Sequence, residues 1–334
     1  MKKEILRTEE AISFTKEIFE SELKQKLALT KISSPIAILN GTGINDDLNG
    51  IERVVAFPIK ALSDKEAVVV NSLSKWKRLR LQELDIEEGK GIITDMRAIR
   101  PDEDYSSIHS IYVDQWDWEK RISKESRNIT FLKEEVTKIY KALRETEIKI
   151  SEKYDSIQPV LPQNIKFIHT EELLQKYPTL TPKERESEIT KEYGAVFLIG
   201  IGGNLSSEKP HDGRAPDYDD WSSENEDGYF GLNGDILLWH PILKESFEIS
   251  SMGIRVDKLA LLDQLNKTGQ NDRKELQFHK LLLNEILPES IGGGIGQSRV
   301  CMFMLRKKHI GEVQVGIWPD SVKEKSKEEG IMLL

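Results

Sequence analysis

The stretch Ile291-Gly292-Gly293-Gly294-Ile295-Gly296-Gln297-Ser298-Arg299 places four glycines in five positions and an arginine three residues past the last of them. A backbone without Cβ atoms can lie against a flat or anionic ligand, and Arg299 can reach the same ligand with a planar cation. The pattern points to a nucleotide site, but to neither familiar phosphate loop. A P-loop ends in Gly-Lys-Ser/Thr, whereas Gly296 is followed by Gln297. A dinucleotide fingerprint needs a third glycine where Arg299 stands and a strand before the turn. What precedes is Leu276 to Leu287, apolar at helical spacing. A plain glycine-rich turn is the competing reading, and the rest of the chain has to decide.

At 334 residues and 38% hydrophobic content the chain can bury a substantial core, as one large domain or two smaller ones. No Pro/Ser/Gly-rich linker or internal repeat divides it, so a single domain over residues 1–334 is expected. The charged stretch Lys323 to Glu329 reads as a solvated tail. Met1 to Glu10 lacks the apolar core of a signal peptide, and the longest apolar run, Ala195 to Ile201, falls far short of the ~20 residues of a membrane helix. A soluble, cytoplasmic protein with no membrane partner is expected. The single cysteine, Cys301, excludes an internal disulfide, and its neighbours Val300, Met302, Phe303 and Met304 mark it as a buried small hydrophobe. A net charge of −9 argues against a nucleic-acid partner, because phosphate-backbone binding draws on clustered Lys and Arg.

Ala11, Phe14, Ile18, Phe19, Leu23 and Leu27 have helical spacing after a candidate cap at Thr8. A second long helix is read from Leu132, Val136, Ile139, Leu143 and Ile150, and a third from the capping box Thr181-Pro-Lys-Glu184. Strands are read at Glu52–Leu62, Glu66–Leu73, Gly91–Ile99, Ile108–Lys120, Ala195–Ile201, Asp235–His240, Phe247–Val256 and Val313–Trp318. Most form neighbouring pairs with short turns, which favours an α+β fold: an antiparallel β-sheet flanked by helices.

Within Ile108–Lys120, alternation puts Tyr112, Trp116 and Trp118 on one face and Val113, Gln115, Asp117 and Glu119 on the other. The aromatic face is core; the other is either solvated or, beside Arg100, the floor of a polar pocket. Between Ile249 and Ile254 the apolar phase slips, which a bulge near Ser250 and Ser251 explains, bringing Glu248, Ser251, Gly253 and Arg255 onto one face. Lys75, Lys77, Arg78 and Arg80 read either as a solvated helix face or as part of a site. Asp217, Asp219 and Asp220 lack EF-hand spacing, and the scattered histidines give no zinc pattern.

Met96-Arg-Ala-Ile-Arg100-Pro-Asp-Glu-Asp104, with His109-Ser110 and the strand to Glu119, resembles motif 2 of class II aminoacyl-tRNA synthetases. The glycine run ending in Arg299 resembles their motif 3, and Leu29 to Ile36 with Pro35 their motif 1. Asn45-Asp46, Lys75-Trp-Lys77-Arg78, Arg100 to Asp104, Tyr112 to Trp118, Ala215 to Trp221, Gly231 to Asp235 and Ser251 to Arg255 narrow the resemblance to the ammonia-dependent asparagine synthetases, or aspartate–ammonia ligases. It runs from about residue 10 to residue 318.

That resemblance implies ATP-dependent amidation of L-aspartate through β-aspartyl-AMP in a homodimer built on motif 1. It implies that Lys77, Gln115, Asp117, Asp219, Ser251 and Arg255 bind aspartate, with Asp219 facing its ammonium group. Arg100, His109, Ser110, Asp235, Glu248, Gly294 and Arg299 would bind ATP, Asp235 and Glu248 holding Mg²⁺. Arg100, Arg299 and Asp46 would be catalytic, Asp46 also touching substrate. Position 2 is Lys rather than a glutamine-hydrolysing cysteine, and Cys301 sits in an apolar run, so the nitrogen comes from free ammonia. The alternatives are aspartate adenylation for tRNA charging and a synthetase-like module without the reaction.

Overall fold

The computed structural model describes residues 2–46 and 53–334. Glu52, at the start of one expected strand, lies outside them. The elements are α1 (Lys2–Leu27), β1 (Leu29–Lys31), β2 (Ala37–Leu39), β3 (Ala56–Ile59), β4 (Lys65–Val69), α2 (Ser74–Glu83), β5 (Gly91–Ile99), β6 (Tyr112–Arg121), α3 (Ile129–Lys153) and β7 (Lys166–His169). They continue with α4 (Thr170–Lys176), α5 (Pro182–Tyr193), β8 (Ala195–Ile199), β9 (Asn233–His240), β10 (Glu245–Ile254), α6 (Lys258–Lys267), α7 (Gln277–Leu283), β11 (Ser290–Gly296), α8 (Gln297–Met304) and α9 (Asp320–Glu328).

Eight strands form one sheet in the order β1-β5-β6-β11-β10-β9-β8-β7, and β2-β4-β3 form a small separate sheet. The expected antiparallel pairing holds from β5 to β8, but both edge pairs, β1 with β5 and β7 with β8, are parallel. One face of the sheet is apolar. Trp116 and Trp118 are fully buried there with Phe19, Leu23 and Leu27 of α1 and Leu132, Val136, Ile139 and Leu143 of α3, and the Phe19 and Trp116 rings meet at 4.7 Å. Cys301 lies in this core as expected. No helix among the described residues is long and apolar enough to cross a membrane.

The Thr181–Glu184 capping box is present, Glu184 N donating to Thr181 Oγ1 at 3.4 Å and Thr181 N to Glu184 Oε2 at 2.8 Å. Thr8 is not a cap. The helix begins at Lys2, because Glu4 to Arg7 are good helix formers with no breaker before Thr8. The expected strand Val313–Trp318 is an unpaired turn and extended segment, leaving Val315 and Ile317 exposed while Trp318 packs on the Tyr105 and His309 rings. The glycine run is itself a strand, β11, paired on both sides. Glycine weakens a strand unless something must lie across it. Here a Cβ at Gly292 would stand 2.0 Å from Glu119 Oε2, and one at Gly294 2.3 Å from Gln115 Oε1. The missing side chains make room for polar groups of β6 to lie flat over the sheet.

Candidate active site

Two adjoining cavities open at the sheet, the first on the face opposite the tryptophans. The first, about 430 Å³, is lined by Asp46, Lys77, Arg100, Gln115, Asp117, Asp219, Glu248, Ser251, Arg255 and Gly294 among others. The second, about 230 Å³, is lined by His109, Ser110 and Arg299 and shares Arg100, Gln115, Glu248 and Gly294 with the first. Asp235 lines neither, sitting behind Arg214.

The floor follows from strand alternation. Gln115, Asp117 and Glu119 project from β6 over β11, and the ladder between β9 and β10 slips between Glu248 and Ser250, making Ile249 the extra residue. The bulge therefore falls one position ahead of the expected site, and it brings Glu248, Ser251 and Arg255 into one wall. Lys75, Lys77 and Arg78 are buried, which excludes the solvated-face reading of α2. Lys77 Nζ is ion-paired to Asp117 and donates to the Gly293 carbonyl at 3.0 Å. Burial pushes the Lys77 ammonium below the usual lysine range, against the pull of Asp117.

Arg255 is fixed by two acids. Its Nη2 donates to Glu119 Oε2 at 2.7 Å, its Nη1 to Asp219, and Ser290 Oγ donates to Glu119 Oε1 at 2.7 Å. Among the described residues Asp219 Oδ2 and Asp117 Oδ2 have no hydrogen-bond partner, so each paired carboxylate keeps one acceptor for a ligand. Of the three aspartates of the 215–221 segment only Asp219 lines the cavity. Asp217 is wholly buried, bonded to Lys75 Nζ at 2.9 Å, Arg273 at 2.8 Å and His279 Nε2 at 3.0 Å, while Asp220 accepts from Arg127 at 2.7 Å and from the Ser222 and Ser223 backbone. Both brace the loop from behind. Asp46, 2% exposed, accepts from Ser72 Oγ at 3.1 Å.

In the second cavity, Arg299 Nη1 donates to the Glu248 carbonyl at 3.1 Å and lies 3.7 Å from its carboxylate. Arg100 Nη2 donates to the Asn71 carbonyl at 3.4 Å, and its buried Nε has no partner among the described residues. His109 is pushed down to about 4 by burial and by the Arg299 charge, so it faces the cavity as a neutral imidazole. Ser110 Oγ donates to Gln314 Oε1 at 2.6 Å.

Arg214 escaped the reading of the sequence although it directly precedes Ala215. It bridges the two walls, donating to Ser251 Oγ and, at 2.6 Å, to Asp235 Oδ1, with Asp219 Oδ2 at 3.7 Å. Burial, with the Glu248 carboxylate adding to it against Arg214, pushes Asp235 up to about 6. Tyr218, Ser72, Ser74 and the acidic run Asp102 to Asp104 also line the first cavity. A single arginine in a loop has no periodicity to announce it; its position beside the 215–221 segment was the available signal.

The architecture is that of class II aminoacyl-tRNA synthetase catalytic cores. The chain superposes on asparaginyl-tRNA synthetase from Pyrococcus horikoshii, solved with asparaginyl-adenylate, with a TM-score of 0.68 over 94% of this chain and 70% of that one, at 15% identity. For an aspartyl-tRNA synthetase from Entamoeba histolytica the values are 0.60, 92%, 58% and 13%. At those identities the likeness is one of fold. The chain belongs to the aspartate–ammonia ligase family, whose profile matches residues 6–330. It is 57% identical over 328 residues to the aspartate–ammonia ligase of Parabacteroides distasonis, covering 98% of this chain and 95% of that protein. The Bacteroides fragilis enzyme is 56% identical over 331 residues, covering 99% and 96%.

Proposed function

We propose that this chain makes L-asparagine from L-aspartate, ATP and ammonia, with AMP and diphosphate as the other products. The observation that carries the proposal is the pair of joined cavities, one walled by acids and buried cations suited to a zwitterion, the other by Arg299, Ser110 and a neutral His109. A carboxylate does not react with ammonia until one of its oxygens becomes a leaving group. The β-carboxylate of aspartate attacks the α-phosphorus of ATP, breaking the bond to diphosphate; ammonia then attacks the β-carbonyl carbon of β-aspartyl-AMP, and AMP departs.

Lys77 and Arg255 orient the substrate carboxylates, and the open oxygens of Asp117 and Asp219 receive its ammonium group, with Gln115 and Ser251 completing the wall. Arg100, at the junction of the cavities, offsets charge developing on the α-phosphate, while Arg299, which lines the second cavity together with Gly294, packs along the nucleotide. Ammonia arrives mostly as ammonium at neutral pH, and the buried carboxylate of Asp46 is placed to hold that cation and take its proton. Among the described residues no three His, Cys, Asp or Glu side chains converge on one point. That suits Mg²⁺, which takes one or two carboxylates and completes its shell with phosphate and water oxygens. Asp235 and Glu248, whose carboxylates repel one another across the bulge, would hold it, and when bound it would neutralise phosphate charge.

The chain acts as a single catalytic domain, residues 1–334, in a cytoplasmic homodimer. A one-chain mass by light scattering at micromolar concentration, or recovery in a membrane fraction, would contradict that. The decisive experiment incubates protein, ATP, Mg²⁺ and aspartate with ammonia, glutamine or tRNA and follows phosphorus by NMR. Asparagine with AMP and diphosphate is expected from ammonia alone; ADP and phosphate, or charged tRNA, would refute the proposal.

A further inference from the structure

One acid on β6 stands on the wrong face for a site residue. Asp114 shares with Tyr112, Trp116 and Trp118 the side of the strand that faces the core, and it is 7% exposed. Burying a carboxylate there is costly unless its oxygens are satisfied. Asp114 Oδ2 accepts from Lys16 Nζ of α1 at 3.0 Å, and Oδ1 accepts from the backbone N–H of Ser298 at 3.0 Å.

Ser298 is the second residue of α8, the helix whose third residue is Arg299. The residue at the N-cap of α8 is Gly296, which has no side chain to accept the free N–H groups of the first turn. Asp114 supplies the missing acceptor from the neighbouring strand, with its charge at the favourable end of the helix dipole. The remainder of that turn is also tied down. Gln297 Nε2 donates to Asp95 Oδ1 at 2.8 Å, Asp95 pairs with Lys31 at 2.8 Å, and Ser298 Oγ accepts from Gln314 Nε2 at 3.1 Å. Asp114 lines both the second cavity and a third, of about 570 Å³, on the α1 side of the sheet.

We propose that Asp114 is a positioning residue for the nucleotide half of the site: by capping α8 it fixes the arginine that packs along ATP, and Lys16 of α1 fixes Asp114 in turn. The inference rests on the reading that the second cavity takes the nucleotide. It predicts an effect on ATP that is not shared by aspartate and that runs through Arg299.

The test is calorimetric titration of the full-length protein with ATP in the absence of aspartate, combined with steady-state kinetics. Asp114→Ala is expected to weaken ATP binding about tenfold, the scale of a lost cap and dipole contact, with the KM for aspartate within about twofold. Asp114→Asn, which keeps an acceptor for the Ser298 N–H, should stay within about threefold of the parent. In an Arg299→Ala background, Asp114→Ala should change ATP affinity by less than about twofold, because the two residues act as one unit. Equal losses for both substrates, or an undiminished ATP loss in the Arg299→Ala background, would overturn the inference while leaving the proposed function intact. A parent protein that binds no ATP would overturn both. If Asp114→Ala does not fold, Lys16→Met reads the network from its outer end: ATP binding weakened about twofold or more with aspartate unaffected supports the inference, and unchanged ATP binding overturns it.

Discussion

The ammonium of Lys77, carried by α2, is ion-paired to the carboxylate of Asp117 on β6, and both side chains are almost wholly buried, at 1% and 4% exposure. Removing one partner of such a pair leaves an uncompensated buried charge and costs about 3–5 kcal/mol, whereas replacing both can be nearly neutral. Lys77→Met alone should therefore lower the melting temperature steeply, and Lys77→Met with Asp117→Asn should recover most of it. Aspartate affinity should not recover in the double variant, since both groups face the first cavity. Thermal melts set beside the KM for aspartate separate the two effects; a double variant with normal aspartate affinity would remove the pair from the substrate site.

Arg100 and Arg299 both line the second cavity, the one proposed to take the nucleotide. Replacing either with alanine should lower turnover on the order of 10²- to 10³-fold, the scale of losing one preorganised charge-stabilising donor. Neither variant should melt far below the parent, because each arginine's hydrogen bonds end on a backbone carbonyl rather than on a buried acid. Near-normal turnover in both would show that the second cavity is not the ATP site.

Asp235 accepts from Arg214 at 2.6 Å and feels the charge of Glu248. Asp235→Asn should raise the Mg²⁺ concentration needed for half-maximal rate several-fold while leaving the saturated rate less affected. A magnesium titration that superposes on the parent's would leave Asp235 as a purely structural partner of Arg214.

The alternation Trp116-Asp117-Trp118 was legible from the sequence because a strand's period of two separates core from pocket within a few residues. The slip of phase after Ile249 disclosed the bulge for the same reason, to within one position. Ile291 to Gly296 could not be read as a strand, because glycines carry no side-chain pattern; what makes it one is Gln115 and Glu119 lying across it from a segment over 170 residues away. Val313 to Trp318 has the alternation of a strand but no neighbour to pair with among the described residues, and pairing is a tertiary fact. Arg214 and Asp114 were missed on similar grounds: the role of each lies in what it touches on another element.

His240 is buried, and its Nδ1 accepts the backbone N–H groups of Ile242 at 3.3 Å and Leu243 at 3.2 Å, so protonation there would break those bonds. Burial, with Arg306 assisting, pushes it from 6.5 down to about 4. An unfolded chain takes up the proton near 6.5, so the unfolded state holds more protons between pH 6.5 and about 4. The stabilisation is complete above that window and is lost as pH falls through it. His240→Asn keeps an acceptor without the titration, so its stability should decline less steeply from pH 7 to pH 5, by up to one proton's worth of slope. Denaturant melts across that range measure it, and parallel slopes would mean that His240 takes up its proton in the fold as it does in the unfolded chain.

The role proposed for Asp46 separates the two chemical steps. It is buried in the wall of the first cavity, tied to Ser72 of the segment leading into α2, and its backbone carbonyl accepts from Asn71 at 3.1 Å. Adenylation needs the aspartate β-carboxylate and ATP in line, and nothing in that step requires a further acid nearby; the attack of ammonia does, because ammonium must first give up a proton. Asp46→Asn keeps the hydrogen bonds and removes the charge. It should therefore leave diphosphate release from ATP and aspartate measurable while sharply lowering asparagine formation, and raising pH should partly restore the second step by supplying free ammonia. A stopped assay reading both products from one reaction decides the matter: if the two fall together, Asp46 positions aspartate, and if neither falls, its carboxylate only holds the turn that joins β2 to the site.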